Sequence, residues 1–284
     1  MKKSARLLLC TLLLVAGACS REEPTAPAVA TASLSLNKDK AAIGSPLRMT
    51  YKFDVAQNAA FDGDYAVFVH VVGPDGETLW QDDHQPAVPT SQWKPGQTIE
   101  YTRLIFVPNY PYLGDATIRL GLYNPATGKR LSLAGEQVGR QEYALARLNL
   151  LPQGENIYLI YRDGWYPPEV DPNNPLIEWQ WTKKNATLAF KNPKRDSTFY
   201  LKIDARTDLF NPPQQVVVKV AGQPLATFAA DAKDPVLKTL PISAAQFGDG
   251  DMTEISFEID RVFTAPNDAR ELGIRVYQVF VEPK

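Results

Sequence analysis

Cysteine is almost missing from this chain of 284 residues: there are 2, Cys10 and Cys19, both near the N-terminus. With so few thiols, a folded body made of the remaining residues must hold itself together by core packing rather than by disulfides. Histidine is equally scarce at 2, and without a cysteine pair the familiar zinc-ligand spacings do not arise. No G-x-S-x-G nucleophile elbow occurs. The clearest apolar run, Leu7 to Val15, falls well short of the roughly 20 residues a membrane-spanning helix needs. Positive charge is not in excess either: Lys+Arg is 30 against Asp+Glu 32, a formal net charge of −2. That balance leaves no electrostatic footprint for nucleic acid, and no block of like charge marks a binding tail. No carboxylate pair stands out, although the spacing that glycosidase chemistry requires is spatial rather than sequential. The expectation is a protein without catalytic residues, metal or cofactor, with an enzyme as the third alternative.

What is present begins with a three-part N-terminus. Lys2, Lys3 and Arg6 precede the apolar run, and Ala16, Gly17 and Ala18 stand just before Cys19. A positive head, a short apolar stretch and small residues define a secretory signal, here residues 1–18. Ala16-Gly17-Ala18-Cys19 resembles the lipobox of bacterial lipoproteins, with Ala16 where Leu is usual. The resemblance implies cleavage before Cys19 and lipid attachment to its sulfur; ordinary cleavage with a free thiol is the alternative. Each buried CH₂ of the acyl chains adds about 0.8 kcal/mol of membrane affinity. Ser20 occupies the position where an inner-membrane retention signal carries Asp, which in a Gram-negative cell implies the outer membrane. Loss of residues 1–18 would lower Lys+Arg from 30 to 27 and leave a net charge of −5.

Residues 19–31 are rich in Pro, Ala and Thr without periodicity and read as a flexible tether. Beyond them the pattern is all-β: two β-sandwich domains, an Ig-like one over 32–147 followed by a jelly-roll or galactose-binding-like one over 148–284. Met49, Tyr51, Phe53 and Val55 alternate with polar residues, as on one face of a strand. Tyr65 to Val72 is apolar on both faces, and Gly73-Pro74-Asp75-Gly76 is a turn. About seven strands in the first half fit an Ig-like sandwich. About eight in the second fit a jelly roll, with one helical turn at Ser243 to Phe247. Leu148-Asn149-Leu150-Leu151 is too apolar for a free linker, which predicts that the two sandwiches pack together.

Two stretches carry a family resemblance. Val67-Phe68-Val69-His70, Asp82-Asp83-His84, Trp93-Lys94-Pro95-Gly96 and Gly121-Leu122-Tyr123-Asn124 with Thr127-Gly128 resemble the β-sandwich module appended to bacterial membrane glycosyltransferases. The second half, with Asp163-Gly164-Trp165-Tyr166, Glu178-Trp179-Gln180-Trp181 and Asp268-Ala269-Arg270, is similar to a module of surface-polysaccharide proteins. Neither family transfers catalytic residues. Both imply an accessory part in envelope glycan work.

The residue-level expectations follow from these placements. His70 reads as a satisfied core histidine, and Asp82-Asp83-His84 as a hydrogen-bonded turn rather than a metal site, because neighbouring side chains of an extended segment diverge. Asp171-Pro172-Asn173-Asn174 offers calcium-type oxygens without the alternation of a calcium loop. Trp179 and Trp181 lie two apart on one strand face and are expected in the core. Trp165 and Tyr166, in a Pro-rich loop, with Arg162 and Glu178 nearby in sequence, form the candidate ligand-binding set. The expected function is non-catalytic binding of envelope glycan by a lipoprotein held in the membrane through Cys19. The alternative is a structural or assembly lipoprotein that docks other exported proteins.

Overall fold

A computed structural model describes residues 26–284. The expected signal peptide, Cys19 and most of the tether lie outside the described residues. Among those described, every long element is a strand, and helix is confined to three short 3-10 turns. Strands β1 (Ala30–Leu36), β2 (Lys40–Ala42), β3 (Pro46–Val55), β4 (Ala66–Val72), β5 (Thr78–Gln81), β6 (Thr98–Phe106), β7 (Gly114–Tyr123), β8 (Arg130–Leu131), β9 (Gln137–Gly139) and β10 (Glu142–Leu151) make the first sandwich. One sheet has the order β1-β3-β6. The other runs β2-β10-β7-β4-β5, with β8 on β7 and β9 on β10.

The alternation of β3 explains why it is the central strand of its sheet. Leu47, Met49, Tyr51, Phe53 and Val55 all point inward and are buried, facing Val67, Val69 and Val71 of β4. The outer face of β4 is sealed as well. Phe68 lies opposite Gly121, where a Cβ would come within 2.4 Å of the Phe68 ring, and the Arg130 guanidinium sits 4.2 Å above that ring. Two boundaries differ from those expected. Ala30 and Thr31 already belong to β1 and pair with Val55 and Asp54. At the other end β10 runs through the expected edge at 147 to Leu151, because Leu148 and Leu150 fill the first core. The apolar segment read as a packed linker is therefore a strand, flanked by β2 and β7.

The second sandwich has ten strands where about eight were expected. These are β11 (Ile160–Tyr161), β12 (Glu169–Asp171), β13 (Asn174–Trp181), β14 (Asn185–Lys191), β15 (Ser197–Asp204), β16 (Gln214–Val220), β17 (Gln223–Ala230), β18 (Val236–Ile242), β19 (Met252–Ile259) and β20 (Arg275–Pro283). Sheet order is β11-β14-β19-β16-β17 against β12-β13-β20-β15-β18. Thr182, Lys183 and Lys184 separate β13 from β14. The helical turn is present at Ala244–Phe247, held by a Ser243/Gln246 capping box. The core between the sheets contains Phe190, Phe199, Leu201, Val218, Phe257 and Val281.

The two sandwiches meet across outward-facing side chains. Tyr200 on β15 is fully buried by Phe106 of β6, at 5.7 Å between ring centroids, and Phe106 also meets Phe280 at 6.2 Å. Arg48 donates to the Tyr200 hydroxyl, which donates to Glu282 at 2.8 Å. Lys38 reaches the same carboxylate at 3.0 Å, and Asn156 donates to the Ile43 carbonyl at 2.7 Å.

Candidate functional site: two clefts on the second sandwich

The residues expected to bind ligand do not converge. Trp165 is half-buried: its indole N–H donates to the Thr187 carbonyl at 2.9 Å, and its ring meets Phe257 and Tyr161 edge-on. Gly164 makes this placement possible, since its φ is +88° and a Cβ there would meet the Asn185 carbonyl at 1.8 Å. Trp165 therefore closes the margin of the core. Tyr166 donates to the Glu271 carbonyl, with Lys183 and Arg270 over its ring. Arg270 is itself held by Asp268 and Glu169. Arg162 and Glu178 are exposed, Glu178 lying opposite Val170 in the β12–β13 hairpin. Among the described residues no hydrogen bond, ion pair or ring contact joins the side chains of these four to one another.

The polar motifs are used for structure. Asp82 holds Arg103 through both oxygens at 3.0 and 2.7 Å, Asp83 accepts from the Val69 N–H, and His84 bonds Tyr101 at 2.9 Å. Three neighbouring side chains serve three different partners, as expected. Asp171 accepts from the Asn173 and Asn174 backbone N–H groups and closes its hairpin turn. His70 differs from expectation: it lies on the outer face of its sheet, half-buried, with Nδ1 at 3.2 Å from Glu142. Period-2 alternation separates the two faces of β4 but does not say which one meets the other sheet.

The strand-pair geometry of β13 builds what the sequence did not locate. Only Gln180 and Trp181 pair with β20, so the β12–β13 hairpin stands away from the sheet and Trp179 sits at the fork. Trp179 and Trp181 are on the outer face rather than in the inter-sheet core: Trp181 is buried beneath Phe263, at 5.6 Å, whereas Trp179 is half-buried and meets Tyr277 at 6.0 Å. The Arg275 guanidinium lies 5.2, 5.6 and 5.7 Å from the Trp179, Trp181 and Tyr277 ring centres, all within cation–π range. Buried Asp204 fixes this arrangement. It accepts two bonds from Arg275, at 2.7 and 2.5 Å, and one from the Tyr277 hydroxyl at 2.7 Å. Burial, and then the Asp204 carboxylate, push the Tyr277 phenol well above its ordinary value.

Trp179 and Tyr277 form one wall of a cleft of about 680 Å³ at the loop end of the sandwich. Asp171, Arg206, Asp208, Lys233 and Asp234 complete its charged rim. The volume lies in the range of small-ligand sites. Two of its carboxylates are tied up by neighbouring donors. Asp208 is bonded through both oxygens by Arg206, which holds its carboxyl down to about 2, and both oxygens of Asp204 are engaged. A glycosidase acid needs the opposite shift.

A second cavity, of about 540 Å³, opens at the junction of the sandwiches where residues 153–161 pass the free edge of β20. It is lined by Gly44 from the first sandwich and by Asn156, Tyr158, Tyr161, Gln278 and Phe280 among others from the second.

No protein-family model and no curated protein matches this chain. Among solved structures, Bacteroides uniformis beta-glucuronidase is 11% identical over 88% of this chain and 30% of its own, with a TM-score of 0.30. The CBM51-2 and INT domains of Clostridium perfringens ZmpB are 10% identical over 60% of this chain and 38% of theirs, at 0.25. The collagen adhesin CNA of S. aureus is 8% identical over 92% of this chain and 99% of its own, at 0.19. The chain thus spans less than a third of the length of the glucuronidase it matches. These are loose likenesses among β-sandwich proteins, and no function passes across them.

Proposed function

We propose that this chain is a non-catalytic module that binds envelope glycan and is held at the outer membrane by lipid on Cys19. The observation that carries the binding part is the half-buried Trp179 beside Tyr277 in the loop-end cleft. Sugar rings present apolar C–H faces that lie on aromatic rings, and hydroxyl edges that need paired donors and acceptors. The cleft supplies both: two aromatic side chains, and a rim of aspartates, arginines and a lysine that can donate and accept. The pairing of Asp208 with Arg206, which keeps that carboxyl low, favours binding over chemistry there. Calorimetry with the native surface polysaccharide is expected to show saturable binding that Trp179→Ala weakens at least about tenfold, roughly 1.4 kcal/mol. No binding by the wild-type chain sinks the glycan reading. The anchor is tested separately: radiolabelled palmitate should enter the wild-type protein and not the Cys19→Ser variant.

The projecting β12–β13 hairpin, with Val170 and Ile177 exposed, favours a second reading, in which the chain docks another exported protein. An unpaired strand edge is a natural template for such docking. A stoichiometric partner recovered in mild detergent supports that reading, and a clean monomer counts against it.

A further inference from the structure

The junction cavity differs in chemistry from the loop-end cleft. None of its lining residues is charged, whereas the loop-end cleft carries four aspartates, two arginines and a lysine. Its walls are aromatic rings, amides, glycines and the aliphatic side chains of Ile157, Leu159 and Val279. Tyr158 is 82% exposed, the most exposed large apolar side chain among the described residues, and Tyr161 is 43% exposed. Leaving a tyrosine ring in water forgoes the burial that normally stabilises it, so an exposed ring at the mouth of a cavity is unusual. Its immediate neighbours do not account for it: Tyr158 lies in the irregular segment before β11, and the flanking Ile157 and Leu159 pack against the second core. Tyr158 also borders a neighbouring hollow of about 500 Å³ and so stands as a fin between two concave surfaces. The side-chain amides of Gln153 and Gln278 make no hydrogen bond among the described residues, although each has an acceptor oxygen and two N–H donors to offer. The site also exists only in the assembled molecule. Gly44 reaches it from the first sandwich, and the Asn156 bond to the Ile43 carbonyl holds the two sides together.

We infer that this junction cavity is a second saccharide site, specific for an uncharged sugar chain. Tyr158 and Tyr161 offer rings for the apolar sugar faces, and Gln153 and Gln278 offer amides to vicinal hydroxyls. The absence of any charged lining residue selects against uronates, whose carboxylate would lose water without gaining a cation. The inference rests on the glycan-binding reading but not on the loop-end cleft.

The test uses the full lipid-free protein, with cellohexaose, maltohexaose and chitohexaose as uncharged probes and hexagalacturonate as the acidic one. At least one uncharged probe is expected to bind, with an affinity that salt between about 0.05 and 0.5 M leaves unchanged, as a charge-free site requires. Tyr158→Ala is expected to weaken it at least about tenfold and Gln278→Ala several-fold, while Trp179→Ala leaves this binding in place. Since Tyr158 is exposed, its removal does not threaten the fold. Binding lost in Trp179→Ala but kept in Tyr158→Ala overturns the junction site and leaves the glycan reading standing. Binding of hexagalacturonate as tightly as of the uncharged probes overturns the charge selectivity. If no uncharged probe binds the wild-type chain, the inference falls, whatever the native polysaccharide does.

Discussion

The imidazole of His84 has a side-chain exposure of only 5%. Its Nδ1 faces the Asp82 carbonyl at 2.8 Å, and a carbonyl can only accept, so Nδ1 carries the proton and Nε2 accepts from the Tyr101 hydroxyl. Burial holds the His84 pKa below 6.5. As pH falls, the unfolded chain takes up this proton first, so the contribution is intact above about 6.5 and is lost as pH drops through the lowered value. Urea unfolding at pH 7.5 and pH 5 is expected to show a loss of stability that His84→Gln makes shallower. An unchanged slope would place the acid sensitivity elsewhere. Trp179 invites a complementary measurement. Its indole N–H is buried without an acceptor among the described residues, a burden of about 1–3 kcal/mol. Trp179→Phe is therefore expected to melt at the wild-type temperature or slightly above, which supplies a folded control for the binding experiments with Trp179→Ala.

Strand β10 shows what a whole element adds. Its last residues pair with β2 and β7, and Leu150 is buried in the first core. Leu150→Ala should destabilise the first sandwich by about 2–5 kcal/mol, the cost of a cavity in a packed core. A loss below about 0.5 kcal/mol, read from denaturant melts, would mean that the strand is dispensable. The alternation of β3 was legible in the sequence because one of its faces is polar. The end of β10 was not, because Leu148-Asn149-Leu150-Leu151 reads equally as strand or apolar linker until its partners are known. The same limit applies to β13. Two tryptophans spaced by two must share a face, yet whether that face meets the other sheet or a cleft depends on pairing with β20, some 95 residues later.

At the scale of the whole molecule, the two sandwiches are joined by Phe106, Tyr200, Phe280 and Glu282. Phe106 belongs to the first sandwich and packs on the second, so Phe106→Ala loosens the junction while sparing both inter-sheet cores. Calorimetry is expected to resolve two unfolding transitions in this variant, closer to merged in the wild type. Identical thermograms would mean that the sandwiches are energetically independent. With no cysteine beyond Cys19, a reducing agent should leave the melting temperature of the lipid-free protein unchanged.

Sequence alone determined the features that depend on residue type and local spacing. No disulfide can form beyond residue 19, period-2 alternation made the chain all-β, and turn residues cut it into two sandwiches. Those features are encoded within a few residues of one another. The fork at Trp179, the loop-end cleft and the charge-free junction cavity were decided by tertiary structure. Each is made by residues far apart in the chain: Asp204 with Arg275 and Tyr277, Gly44 with Tyr158 and Gln278. Alternation tells a strand that it has two faces, and only long-range pairing decides which of them is covered.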